Sequence, residues 1–469
     1  MTFEQALDYL QSRVNYENLT GYKTQKVFKL QRMKDLVQRL GHPERQVPCL
    51  HVAGSQGKGS TCALTYSILK AAGYRVGLYT SPHLSSFLER FRVSNTGSSP
   101  FGSPSADSDE TLSEKDFARI VSGLAPEINA YEQTLGAGEK LTFFEVTTLV
   151  AFKYFAERRL DVALYEVGLG GRLDSTNVVE PVACGITRIS REHVKALGFS
   201  LIRIGTEKLG IVKPGVPVVT SPQWKSVAKL TQQIAEAQNA PLYWVGQDIK
   251  TESLAMTQNA QTFRVKGLDA DYGTLRMPLL GEHQAENAGV AIGLAELFAR
   301  FKKKPLGVRA VIKGVQEVQW PGRMEVWAGP PRIILDTAHT VVGVTALRKA
   351  VSRMPGTRRI VLVLGICRDK LVRQICQSLV PAASAIVLTQ PNNPRALSVG
   401  ELADNLPSSR IPVRIRESVP EALEEALSVA RNYGEDTTIL VTGSIFVVGE
   451  ARDWLKESFP IPERAAHWS

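Results

Sequence analysis

The chain has 469 residues, 43% hydrophobic and 22% charged, the balance of an ordinary globular protein rather than a collagen-like, disordered or membrane-spanning one. At about 150 residues per domain, that length predicts two or three domains. Lys and Arg number 56 against 46 Asp and Glu, a formal net charge of +10 that fits acidic small molecules, nucleic acid or an anionic membrane surface. The basic residues are spread along the chain, with no basic stripe interleaved with aromatics, so small-molecule substrates are expected, with no nucleic acid and no membrane. No apolar run approaches the ~20 residues of a bilayer span, and MTFEQALDYL lacks the basic and apolar parts of a secretory signal. The five cysteines never form C-x-x-C, so a cytoplasmic protein with reduced thiols is expected, without disulfides or a zinc site.

Residues 1–46 read as a polar helical lead-in, with Leu30, Met33, Val37 and Leu40 on one helix face and Gly41-His42-Pro43 ending it. VPCLHVA predicts a strand ending at Ala53, followed by Gly54-Ser55-Gln56-Gly57-Lys58-Gly59-Ser60, the helical run TCALTYSILKAAG and a strand in YRVGLYT. That succession is the grammar of a parallel sheet. Residues 94–114, crowded with Ser, Gly, Pro and Asp, predict a flexible surface loop. A helix from about Glu114, another through FFEVTTLVAFKYFAERR, the buried strand DVALYE and strands in ACGITRIS and VPVVTSP continue the alternation, with a β-rich excursion over 240–278. The expected fold class is α/β in two domains. An N-terminal domain over 1–300 carries a P-loop-type, doubly wound, mostly parallel sheet; a connector over 301–330 follows; a Rossmann-like α/β domain spans 331–469.

Backbone N–H groups of a tight glycine loop, with the positive end of the helix after it, make a site for phosphate oxygens. Lys58 would reach the terminal phosphates, and the Ser60 hydroxyl would contact a metal ion or a phosphate. The spacing departs from G-x-x-x-x-G-K-[ST], because two residues separate Gly54 from Gly57-Lys58 and Gly59 precedes Ser60. The alternative is a plain βα turn with a solvated Lys58. A strand before and a helix after favour the phosphate site. Glu166 closes the apolar run DVALY, where a strand delivers a carboxylate to the sheet's C-terminal edge. Burying it without a partner is costly, which points to metal ligation.

Together with Thr80-Ser81-Pro82-His83-Leu84, YEVGLGGRLDSTN, GEHQAEN, WPGR, LDTAH and VTGSIFVVGE, the block HVAGSQGKGST resembles the folylpolyglutamate synthase and dihydrofolate synthase family of the Mur ligase superfamily, in the family's own order. The resemblance implies an ATP-dependent ligase that joins L-glutamate to dihydropteroate, to a folate, or to both, through an acyl phosphate, with Mg²⁺ as the expected ion and K⁺ as a further candidate. It implies that Gly54, Ser55, Gln56, Gly57, Lys58, Gly59 and Ser60 hold phosphate, and that Ser60, Ser81, Glu166 and His193 serve the metal. Asn287 would contact base or ribose, Arg323 the phosphates, and Asp336 and His339 the ribose and terminal phosphate when the domains close. Lys58, His193 and Lys208 are the expected catalytic residues, with Lys208 carbamylated. A monomer is expected.

The chain departs from the family pattern at two places. Glu192 stands before the histidine where Asp is usual, and Asp336-Thr337-Ala338-His339-Thr340-Val341 replaces Asp-Gly-Ala-His-Asn-Pro. FSLIRIGTEK also lacks the usual acidic helix start. A peptidoglycan-precursor ligase is the alternative within the superfamily, opposed by only about 50 residues before Gly54, too few for a UDP-binding domain. A catalytically impaired nucleotide-binding homologue is the alternative outside catalysis.

Overall fold

The computed structural model describes residues 1–17, 28–95, 109–136 and 138–459 and gathers its parallel strands into two sheets. The first holds β1 (Cys49–Ala53), β2 (Val76–Tyr79), β3 (Phe91–Val93), β4 (Glu110–Thr111), β5 (Val162–Glu166), β6 (Ala183–Ile186), β7 (Val218–Thr220) and β8 (Leu242–Trp244). Their order is β4-β3-β2-β5-β1-β6-β7-β8, all running one way except β3, which pairs antiparallel with β2 and β4 at one edge. The strands read as unbroken apolar runs because both faces are covered. In β5, Val162 and Leu164 enter one core while Ala163 and Tyr165 enter the other.

Covering those faces are α1 (Phe3–Gln11), α2 (Leu30–Arg39), α3 (Lys58–Ala71), α4 (Glu114–Glu132), α5 (Phe143–Glu157), α6 (Val194–Leu197), α7 (Leu201–Leu209), α8 (Lys225–Ala237) and α9 (Glu282–Phe301). The lead-in helix face buries Met33, Leu36 and Val37. The excursion is an antiparallel sheet of β9 (Lys250–Met256), β10 (Gln261–Lys266) and β11 (Asp271–Met277). α7 forms without an acidic start or a side-chain cap; burial of Ile204, Lys208 and Leu209 stabilises it instead.

Within 301–330, α10 (Val308–Gln316) lies against α3, and Gly314 sits so close that a Cβ would come 2.4 Å from Ile68 Cα. The second sheet contains β12 (Glu325–Trp327), β13 (Arg332–Leu335), β14 (Arg359–Leu364), β15 (Ala385–Leu388), β16 (Val413–Ile415) and β17 (Thr437–Thr442). They run in the order β12-β13-β17-β14-β15-β16, with β12 antiparallel. Its faces carry α11 (Val341–Ser352), α12 (Val372–Leu379), α13 (Val399–Ala403), α14 (Val419–Tyr433) and α15 (Ile445–Ser458).

Of the expected loop over 94–114, residues 96–108 lie outside the described residues, while Glu110 and Thr111 form β4 and Leu112 is buried. Pairing with β3 converts this polar stretch into an edge strand.

Candidate active site

In the first sheet the chain passes from β1 over β5 to β2, and returns later to place β6 on the other side of β1. Connections leave β1 and its neighbours on opposite faces, which opens a crevice beyond the C-terminal end of β1. The glycine loop occupies that crevice. Gly57 has φ +88°, and a Cβ there would meet Asn287 Oδ1 at 2.3 Å; one on Gly54 would lie 1.8 Å from Thr187 Oγ1. Glycine is required at both positions by backbone conformation and by space. The amides of Ser55 and Gln56 donate to the Arg188 carbonyl at 3.1 and 3.2 Å. Ser55 Oγ donates to the Ser190 carbonyl and accepts from the Ser190 amide, each at 3.0 Å. Lys58 opens α3, half-buried, with Ser60 buried behind it.

The loop faces a cleft of about 1780 Å³ whose wall includes Ser55, Gln56, Gly57, Lys58, Gly59, Ser60, Ser81, Glu166, His193, Asn287, Arg323, Asp336 and His339. Gly54 and Lys208 lie behind the wall. Lys208 is 1% exposed; its Nζ donates to the Gly54 carbonyl at 2.7 Å and to Glu192 Oε1 at 2.8 Å. It therefore fastens the start of the glycine loop from below. Burial pushes the Glu192 carboxyl up, but Lys208, Lys58 and His193 outweigh it and hold the group down to about 2. Burial also draws Lys208 below the ordinary lysine range against the pull of Glu192. The two directions oppose each other energetically. The 2.8 Å contact between two buried groups identifies them as a charged pair.

Glu166 is 5% exposed at the end of β5. Burial raises its pKa, with Lys58, the Ser81 amide and Arg323 pulling the other way. Ser81 N donates to Oε2 at 3.2 Å, and among the described residues Oε1 has no hydrogen-bond partner. His193 caps α6 with φ +46° and is open to the cleft; desolvation leads the causes that hold it down to about 4, so at neutral pH the imidazole is an uncharged ligand or base. Among the described residues no three His, Cys, Asp or Glu side chains converge into a metal cage. Magnesium keeps several waters and needs only one or two protein oxygens, so a free Glu166 oxygen beside Ser81 suits it.

Asn287 lies in the second turn of α9, its amide donating to Gln284 Oε1 at 2.9 Å. Across the cleft, Asp336 is buried after β13; it accepts from Met324 N at 2.9 Å and Ala338 N at 2.8 Å. Burial pushes Asp336 up, with Arg323 opposing. His339 Nδ1 donates to the Thr337 carbonyl at 2.8 Å, and burial followed by Lys370 holds it down to about 3, leaving Nε2 a neutral acceptor. The altered 336–341 loop thus keeps both polar side chains on the cleft wall.

Two clusters on the wall were not singled out from sequence. Arg90 is 1% exposed and forks onto Glu17 at 2.9 and 2.6 Å while its Nε donates to His83 Nδ1 at 3.0 Å. Asp369 pairs with Lys370 at 3.0 Å and Arg395 at 2.7 Å. Lys370 lies in the loop after β14, six residues past Leu364, so the strand-end rule that found Glu166 points to this loop but not to the residue. Glu17 and Arg90 stand 73 residues apart, and no local pattern links them.

Residues 322–445 match the family model of the Mur ligase glutamate ligase domain. The dihydrofolate synthase/folylpolyglutamate synthase of Bacillus subtilis is 33% identical over 432 residues, 91% of this chain and 95% of that one. Folylpolyglutamate synthase of Mycobacterium tuberculosis, solved with ADP and AMPPCP, superposes with a TM-score of 0.83 at 29% identity, covering 96% of this chain and 97% of that one. A solved FPGS–AMPPCP–folate complex gives 0.79 at 27% identity, over 97% and 100% of the two chains. The glycine loop, the two-sheet architecture and these likenesses over nearly the full length agree: the chain belongs to the folylpolyglutamate synthase and dihydrofolate synthase family of Mur ligases.

Proposed function

We propose that this protein joins L-glutamate to dihydropteroate, to a folate, or to both, consuming ATP and requiring Mg²⁺. Family membership makes it an ATP-dependent ligase of folate metabolism; the residue roles are our assignment. The observation that carries it is the glycine-forced loop at the β1 crevice, with Lys58 and Glu166 on one wall and Asp336, His339 and Arg323 on the other.

A carboxylate is a poor electrophile until ATP converts it to an acyl phosphate; the amine of glutamate then displaces phosphate and forms the amide. The loop amides, the α3 N-terminus and Lys58 hold the triphosphate. Asn287 contacts base or ribose, while Arg323, Asp336 and His339 approach from the second unit. Glu166, Ser81 and His193 would hold magnesium, whose charge offsets the repulsion between the two anionic substrates. Phe87, Phe143 and Phe144 line an aromatic part of the cleft near Arg90 and Asp174, suited to a flat heterocycle with hydrogen-bonding edges.

Carbamylation of Lys208 belongs to the same reading. Its support is the family resemblance at TEKLGIVKPG and the place of Lys208 beneath the glycine loop; the amine must first give up a proton and its ion pair with Glu192 before it adds carbon dioxide. A carbamate keeps one N–H, enough for the bond to the Gly54 carbonyl, but its negative charge would have to part from the Glu192 carboxylate. A monomer and a cytoplasmic location complete the proposal; the five cysteines are free and buried, and among the described residues no helix is long and apolar enough to cross a membrane.

The test offers dihydropteroate and tetrahydrofolate separately with ATP, Mg²⁺ and glutamate, and identifies products by mass. A glutamylated product with either substrate is expected. ATP binding without glutamate-dependent turnover on both would overturn the proposal.

A further inference from the structure

One polar contact ties the glycine loop itself to the 336–341 loop across the cleft: Gln56, inside the glycine loop, meets Thr340, one of the residues by which the 336–341 loop departs from the family pattern. Gln56 Nε2 donates to Thr340 Oγ1 at 3.0 Å, over a separation of 284 residues. The same hydroxyl caps α11, accepting from Gly343 N at 3.1 Å. Gln56 is not free to follow its side chain, because its own amide is tied to the Arg188 carbonyl at 3.2 Å. A Cβ on Gly343 would lie 3.1 Å from Thr340 Oγ1 and 3.7 Å from Gln56 Oε1, so a glycine in the first turn of α11 leaves the room that the amide occupies.

We infer that Gln56 and Thr340 are a positioning pair that registers the second unit against the phosphate loop, so that filling the loop with nucleotide aligns His339 and Asp336 for the ligation. The inference rests on the ligase reading above. The pair is suited to the task for a geometric reason. One end is in a loop whose shape is fixed by Gly54, Gly57 and the Arg188 carbonyl, and the other is the capping residue next to His339. A shift of either unit by about 1 Å takes a 3.0 Å bond beyond bonding range. The exposed contacts of Glu282 with Lys349 and Arg353 join the same two units, but long charged side chains tolerate such shifts.

The experiment is a double-mutant cycle on the full chain with Gln56→Leu, Thr340→Val and the double variant, with Thr340→Ser as the conservative control. Initial rates are measured with glutamate and ATP varied in turn. Gln56→Leu leaves the α11 cap intact, so a folding failure of Thr340→Val does not end the test. Each single substitution is expected to lower kcat/KM for glutamate by about tenfold, the size of one neutral hydrogen bond, with the ATP KM changing less. The double variant should lose no more than either single one, and Thr340→Ser should stay near the parent. Losses that multiply in the double variant, or an equal loss in Thr340→Ser, overturn the pairing. A second arm reads the radius of gyration by X-ray scattering with and without AMPPCP, and needs no turnover. If the parent ligates nothing, this arm alone decides. Compaction lost in Gln56→Leu and Thr340→Val supports the pair; compaction kept in both overturns it.

Discussion

The two walls of the cleft are held by different kinds of contact. On the N-terminal wall, Gly54 and Gly57 have no room for a methyl group, the loop amides bind a neighbouring carbonyl, and the buried Lys208–Glu192 pair braces the loop from below. On the C-terminal wall, Asp336 and His339 are fixed within their own unit by Met324 N, Ala338 N and the Thr337 carbonyl. Among the described residues, the polar contacts that cross from one unit to the other are partly exposed, Gln56 to Thr340, Glu282 to Lys349 and Arg353, and Arg395 to the Glu17 carbonyl, while Leu280 and Leu84 from the first unit pack against the cores of the second. A phosphate cradle fixed by close backbone contacts thus faces a wall joined to it through a few apolar side chains and single polar bonds, so the line between the two is where substrates can enter.

The severest challenge to this contrast is Lys58→Ala. If the N-terminal wall is the phosphate cradle, phosphate release should fall by about 10²–10³-fold with the melting temperature nearly unchanged. Near-normal turnover would move the chemistry elsewhere. Next in size is Lys208→Met, which strands Glu192 in a buried site; about 3 kcal/mol of stability should be lost, read by chemical denaturation. An unchanged stability would mean that the brace under the loop is not one.

The same pair makes a prediction in pH. The folded Glu192 carboxyl lies near 2, below its ordinary 4.5, so its contribution is complete above 4.5 and disappears as pH falls towards 2. Glu192→Gln should flatten the fall in melting temperature across that window. An equally steep fall in the variant would assign acid lability to other groups. Smallest is Glu282→Gln. Its partners are about half exposed, so the change should be under about 1 kcal/mol and should shrink further in high salt. A larger loss would show that the second wall is fastened more firmly than its contacts imply.

Much of the N-terminal wall could be read from sequence because its causes are local. A strand, three glycines, Lys58 and a helix follow one another without interruption, and Glu166 ends an apolar run. The C-terminal wall was less legible. Asp336 and His339 are placed by resemblance, whereas Lys370 lies in the loop after β14 with no local pattern to mark it. The partners Gln56 and Thr340 carry no pattern, since only the tertiary fold brings them together. In the fold, α13 has five residues and β16 three exposed ones, too short and too polar for a periodic signal. The strand β4 hid in a stretch whose composition reads as loop, because pairing with β3 overrides weak propensity.

Trp320 presses its ring on the first turn of α3, where a Cβ on Gly59 would come within 2.7 Å of it, and Arg92 lies over the indole at 5.3 Å. The chain therefore carries a native fluorophore at the base of the phosphate loop. Its share of the emission, separated from the other five tryptophans by comparison with Trp320→Phe, should shift as triphosphate arrives, so that occupancy can be titrated optically with no label attached.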